Sequence, residues 1–132
     1  MKKIILPLAI VAGILFACNG KSGGGGSDQS TPKEVAETIF SAAKSGDYNK
    51  LKGLCNADLQ PDGDSKKICE VTDGDDKLKS SFKEYFSKGK VVGEPTIEGE
   101  TAKVKVLFGP DGTKEETFNM AKKDGKWYMV SF

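Results

Sequence analysis

The sequence contains no histidine and no arginine. The first absence removes the only side chain whose unperturbed pKa lies near neutrality. It also removes the commonest ligand of zinc, so Ser-His-Asp, Cys-His and HExxH chemistry are excluded. The second removes the rigid guanidinium fork that grips carboxylate and phosphate bidentately, leaving lysine as the sole cationic side chain. Charge of either sign is not in excess, with 20 basic and 19 acidic residues. A chain so balanced lacks the basic patch or stripe expected of a nucleic-acid binder, and no nucleic-acid partner is expected. Nothing in the residues implies a cofactor or a metal. The acidic stretches "DGDSKKICE" and "DGDDKLKSSFKE" place Lys66 and Lys77 where a calcium loop needs oxygen ligands, so they read as solvated turns and helix caps.

The sequence also lacks an apolar run long enough to span a bilayer, which takes about 20 residues. Ile4 to Ala17, "IILPLAIVAGILFA", is shorter, follows Met1-Lys2-Lys3 and gives way at once to polar chain. Residues 1–17 therefore read as a secretory signal peptide, outside the folded domain. "LFAC", ending at Cys18, resembles the lipobox of bacterial lipoproteins, with Phe16 in place of the small residue usual there. That resemblance implies a Cys18 carrying palmitate-class acyl chains as the mature N-terminus, anchored in the bacterial cell envelope at the outer membrane or cell surface. Several chains on one residue give stable anchoring where a single chain is marginal. Residues 18–30 continue as a Gly/Ser-rich tether with too little apolar surface to fold. Without Lys2 and Lys3 the exported chain carries 18 basic against 19 acidic residues.

Cysteine is scarce, and beyond Cys18 only Cys55 and Cys69 remain. In an oxidising compartment an even pair reads as a disulfide, here a staple across the loop "NADLQPDGDSKKI". No CxxC spacing supports the alternative of a redox pair.

The folded domain is expected over residues 31–132, enough for one small core. Thr31-Pro32-Lys33-Glu34 carries a capping-box signature. Val35, Ala36, Ile39, Phe40 and Ala43 then recur at helical spacing up to Gly46. Asp47 is placed to cap a second, shorter helix with Tyr48, Leu51 and Leu54 inward. Asp75 or Asp76 caps a third, with Leu78, Phe82, Tyr85 and Phe86 as its stripe and Gly89 as its close. From Lys90 the period changes to alternation. "KVVGEPTIEG" predicts an irregular first strand with a bulge or edge. "TAKVKVLF" turns Ala102, Val104, Val106 and Phe108 to one side; "KEETFNMA" and "KWYMVSF" follow, joined by Asp-Gly turns that signal hairpins. Helices followed by an antiparallel meander make an α+β domain with the helices on one sheet face.

This order, with the helix "TPKEVAETIFSAAKSGDYNKLKGL" and the terminal Asp124-Gly125-Lys126-Trp127, resembles the NTF2-like, or cystatin-like, α+β cone. More narrowly it is similar to the DUF4878-type lipoproteins, also called lumazine-binding-like. The resemblance implies a curved antiparallel sheet wrapping the first helix and a pocket at its open end. Phe40, Tyr85, Phe86, Phe118 and Trp127 are the candidate pocket residues, although the same spacing serves a plain core. Trp127 and Tyr128 must face opposite ways on a regular strand.

Three roles stay open at this level. The favoured one is a lipid-anchored, non-catalytic envelope module that binds a small apolar ligand or a protein partner. An enzyme of the isomerase or dehydratase kind found on this superfold is the alternative, with Glu116, in register with Phe118 and Met120, the carboxylate best placed to face inward. No catalytic residue is assigned. A structural spacer subunit is the third.

Overall fold

The computed structural model describes residues 29–132. The expected signal peptide, Cys18 and the expected tether up to Asp28 lie outside the described residues. Gln29 and Ser30, the last two residues of the expected tether, are already attached to the domain. Gln29 accepts from the Trp127 amide at 2.9 Å, and its side chain donates to the carbonyls of Trp127 and Gly53.

The first helix, α1 (Pro32–Ser45), starts as its sequence predicts. Thr31 Oγ1 accepts from the Glu34 amide, and the Glu34 carboxylate accepts from the Thr31 amide, both at 3.1 Å. Val35, Ala36, Ile39, Phe40, Ala42 and Ala43 are buried along one face, and the Gly46 amide closes the helix on the Ala42 carbonyl. The expected second helix is only a 3₁₀ turn, Tyr48–Leu51, and the Asp47 side chain makes no cap to it. Leu51 and Leu54 are nevertheless fully buried. What matters there is two apolar anchors in a short segment: the tight turn supplies Leu51, and Leu54 follows three residues on.

The region expected to be a stapled loop contains a helix instead, α2 (Gly63–Cys69). Asp62 caps it by accepting from the Ser65 amide at 2.8 Å. Ile68 and Cys69 are buried on its inner side, and Val71 follows in a 3₁₀ turn, Val71–Asp73. Cys55 and Cys69 form the disulfide, with Cα atoms 6.1 Å apart. Ser65 Oγ is buried with no hydrogen-bond partner among the described residues, and nothing in the structure explains it.

The third helix, α3 (Asp76–Phe86), is capped by Asp75, which accepts from the Leu78 amide at 2.8 Å. Phe82 and Phe86 are buried, whereas Tyr85 is 47 % exposed. Gly89 does not cap this helix, whose last turn ends at Ser87. Its role is spacing: a Cβ there would come within 2.2 Å of the Phe40 ring. Glycine lets the chain pass directly over a core aromatic.

Five strands follow: β1 (Lys90–Val91), β2 (Thr96–Glu98), β3 (Thr101–Phe108), β4 (Lys114–Lys123) and β5 (Lys126–Ser131). The expected irregular first strand is two short pieces that both pair with β3, interrupted around Gly93 and Pro95. The sheet is antiparallel throughout, in the order β1-β3-β4-β5 with β2 beside β3. Asp124 and Gly125, at φ 51° and 81°, form the two-residue turn that joins β4 to β5. Both left-handed positions suit the right-handed twist of a hairpin. A bulge between Asn119 and Met120 offsets the register of this pair.

Ala102, Val104, Val106 and Phe108 of β3, Phe118 and Met120 of β4, and Trp127 and Met129 of β5 face the helices and are buried. The architecture is α+β, three helices packed on one face of an antiparallel sheet. Trp127 is therefore the inward member of its pair, and the half-buried Tyr128 belongs to the other face. The open edge of β5 is covered: its Met129 amide donates to the Leu54 carbonyl, and its Val130 carbonyl accepts from the Asp62 amide. Covering a sheet edge in this way prevents further strand addition there. No described helix is long and apolar enough to cross a membrane.

Candidate functional site

Alternation along β3 sends Phe108 inward at the end of that strand, and Phe132 follows β5. Helical spacing sends Phe82 and Phe86 of α3 to meet them. The ring centroids of Phe86 lie 4.9 Å from Phe82, 5.2 Å from Phe108 and 6.2 Å from Phe132. Phe132 in turn lies 5.2 Å from Phe118. Stacked, tilted and edge-on ring contacts at these separations are favourable beyond the area they bury.

This cluster does not fill the space between α2, α3 and the β3–β4 turn. A groove of about 480 Å³ remains, lined by Ile68, Val71, Leu78, Phe82, Tyr85, Phe86, Phe108 and Phe132, with Asp64, Lys67, Ser81 and Lys114 completing it. The volume lies within the range of small-molecule sites, as does the mix of apolar wall and few polar groups. The disulfide and the Asp62 cap hold α2, and hence one wall, in place. Gly109 ties the turn to α3 by donating its amide to the Tyr85 carbonyl at 2.7 Å.

Of the five candidate pocket residues, the groove takes Tyr85 and Phe86. Phe40 and Phe118 lie in the core behind them, their centroids 5.9 Å apart. Phe40 also touches a second, more polar depression lined by Glu37, Ser41, Lys44 and Lys90. Trp127 lines neither; it packs inward beneath Lys122, whose ammonium is 5.9 Å from its ring. Sequence reasoning passed over Phe132, Phe108, Ile68 and Val71 as site residues. The alternation that made Phe108 a core residue was the available signal, but it says nothing of which helix face the strand end meets.

Glu116 does face the helix side, opposite Val106, and is half-buried. Its carboxylate accepts from the neighbouring Thr117 amide at 3.2 Å. Asp58 and Lys123 form a pair at the surface. A hydrogen bond from Lys123 holds the Asp58 carboxyl below the usual carboxylate range, and the same bond raises the Lys123 ammonium. This pair links the turn Ala57–Leu59 to β4 but is exposed, so water screens it and little stability is expected from it. Among the described residues, no three acidic or cysteine side chains gather as a metal cluster.

The fold and groove define a small α+β domain with an aromatic cleft between its helices and the end of its sheet. The chain belongs to the family described as "Domain of unknown function (DUF4878)", whose model matches residues 22–130. It is also similar to a solved structure described as a "Putative NTF2-like transpeptidase" from Campylobacter jejuni, at 18 % identity and a TM-score of 0.48. That similarity covers 77 % of this chain and 98 % of the other. No curated protein matches the sequence.

Proposed function

We propose that this protein is a lipid-anchored, non-catalytic binding module of the bacterial cell envelope, and that its aromatic groove holds a small apolar ligand. One observation carries the reading: large apolar side chains from α2, α3, β3 and the segment after β5 converge on a groove that the protein itself leaves unfilled. Apolar surface left in contact with water is unfavourable in proportion to its area, and an apolar guest removes it. The enzyme alternative has weaker support, because Glu116 directs its carboxylate to a backbone amide and Asp64 on the groove is engaged by Lys67. The anchor is supported by sequence: the charged start and apolar run before "LFAC", the lipobox resemblance itself, and the Gly/Ser-rich stretch after it.

Two experiments test this. Native mass spectrometry of protein extracted from its own membranes should retain a small apolar molecule that Leu78→Lys, which places a charge on the groove wall, releases. Retention undiminished in that variant would move the ligand away from the groove. Separately, Cys18→Ala should transfer the protein from the membrane pellet to the soluble fraction. If it continues to pellet with membranes, the acyl anchor is wrong.

A further inference from the structure

The two lysines at the groove differ in their surroundings. Lys67 Nζ lies 3.3 Å from Asp64 Oδ1, so that cation already has a counter-charge. Lys114 pairs with Phe108 in the β3–β4 register, which sets it on the helix-facing side, and its ammonium stands 5.2 Å from the centre of the Phe108 ring. No carboxylate among the described residues forms an ion pair with it. Glu116, two positions along the same strand face, is turned to the Thr117 amide. Tyr85 adds a half-exposed phenol to the same groove. The site thus combines an apolar body with one uncompensated cation, held over an aromatic face that restrains it.

We infer that the occupant is a free long-chain carboxylate, with its alkyl chain against Phe82, Phe86 and Phe132 and its head on Lys114. This rests on the binding reading above and adds the charge and shape of the ligand. Ammonium to carboxylate is a charge-assisted contact, stronger than a neutral hydrogen bond. A cationic head would meet an unmatched like charge. A groove of about 480 Å³ also suits one chain better than a two-chain lipid.

The test uses the Cys18→Ala protein, which carries no acyl chain of its own to compete for the groove. Dodecanoate, 1-dodecanol and dodecyltrimethylammonium are titrated below their aggregation concentrations, with binding followed by calorimetry and by NMR shifts of Leu78 and Phe132. Dodecanoate should bind at least about tenfold more tightly than dodecyltrimethylammonium, and Lys114→Gln should weaken dodecanoate by about tenfold while leaving dodecanol unchanged. Lys114 is exposed, and an unaltered urea midpoint would verify that the variant folds. Equal affinity for all three probes overturns the inference while leaving an unselective apolar groove. If none binds and neither residue shifts, the groove reading falls with it. Attachment to phosphatidylglycerol vesicles without any response to monomeric dodecanoate also overturns the inference.

Discussion

Phe86→Ala should lower the free energy of unfolding by about 4 kcal/mol, near the middle of the range for truncating a buried phenylalanine. Phe86 is only 7 % exposed and contacts the rings of Phe40, Phe82, Phe108 and Phe132. It therefore joins α3 to α1 and to the sheet at once. The surroundings cannot collapse into the space it leaves, because Phe108 is fixed by a strand paired on both sides and Phe40 by α1. The loss is thus a cavity as well as a transfer term. Domains of this size have roughly 5–15 kcal/mol in total, so the variant should be close to its limit at growth temperature. Urea unfolding with an unchanged slope is the measurement. Phe86→Leu, which keeps most of the volume, should lose clearly less. A cost below about 1 kcal/mol for the alanine variant would mean that these rings do not form one packed cluster.

Removing the Cys55–Cys69 disulfide, by reduction or by paired serine substitutions, should cost roughly 3 kcal/mol for a loop of this length. The cysteines are 14 positions apart, and the chain between them holds α2, a helix of 7 residues. So short a helix has almost no stability of its own in water. With the bond gone, its remaining ties include the Asp62 side-chain cap, the burial of Ser65 and Ile68, and the Asp62 amide on the Val130 carbonyl at 2.8 Å. Loss should therefore be local first. In hydrogen exchange, the amides of Lys66 to Glu70 should lose protection well before those of β3 and β4. Because α2 contributes Asp64, Lys67 and Ile68 to the groove, the proposed binding of an apolar ligand should weaken in parallel. A reduced protein with the same midpoint and the same exchange pattern would show that the bond constrains nothing.

Several features are legible in the sequence itself. The capping box at Thr31, the apolar face of α1, the alternation of β3 and the Asp124-Gly125 hairpin were each written in a short window, and each occurs where expected. The reason is that caps, periodicity and left-handed turn positions are local: neighbouring residues supply both partners. The broken first strand was also visible, since Gly93 and Pro95 interrupt a ladder wherever they occur. α2 was missed because its composition is that of a turn, rich in Asp, Ser, Gly and Lys. Asp62 ahead of Gly63 was a usable cap signal, but of the inward residues Ser65, Ile68 and Cys69 only the last two are apolar, too few for a periodic hydrophobic pattern.

The groove was less legible than the fold. Two of its rings, Tyr85 and Phe86, were among the residues singled out, but Phe132 and Phe108 come from strand ends far apart in the chain. Phe40, Phe118 and Trp127 had the same aromatic character and the same spacing, yet they went to the core. Periodicity assigns a residue to a face; it does not say whether that face is covered at that point along its length.

By itself, then, the sequence determined an α+β domain of helices followed by a meander, the pairing of its two domain cysteines, and the exclusion of imidazole chemistry. These follow from residue type and local spacing, which act over a few positions. Only the tertiary structure decided that Trp127 rather than Tyr128 faces the helices, that the stapled segment folds as a helix, and that four phenylalanines meet beside Lys114, with which no carboxylate among the described residues pairs. Those outcomes depend on which surfaces pack together, and packing is a competition among the whole chain's apolar faces for one limited interior.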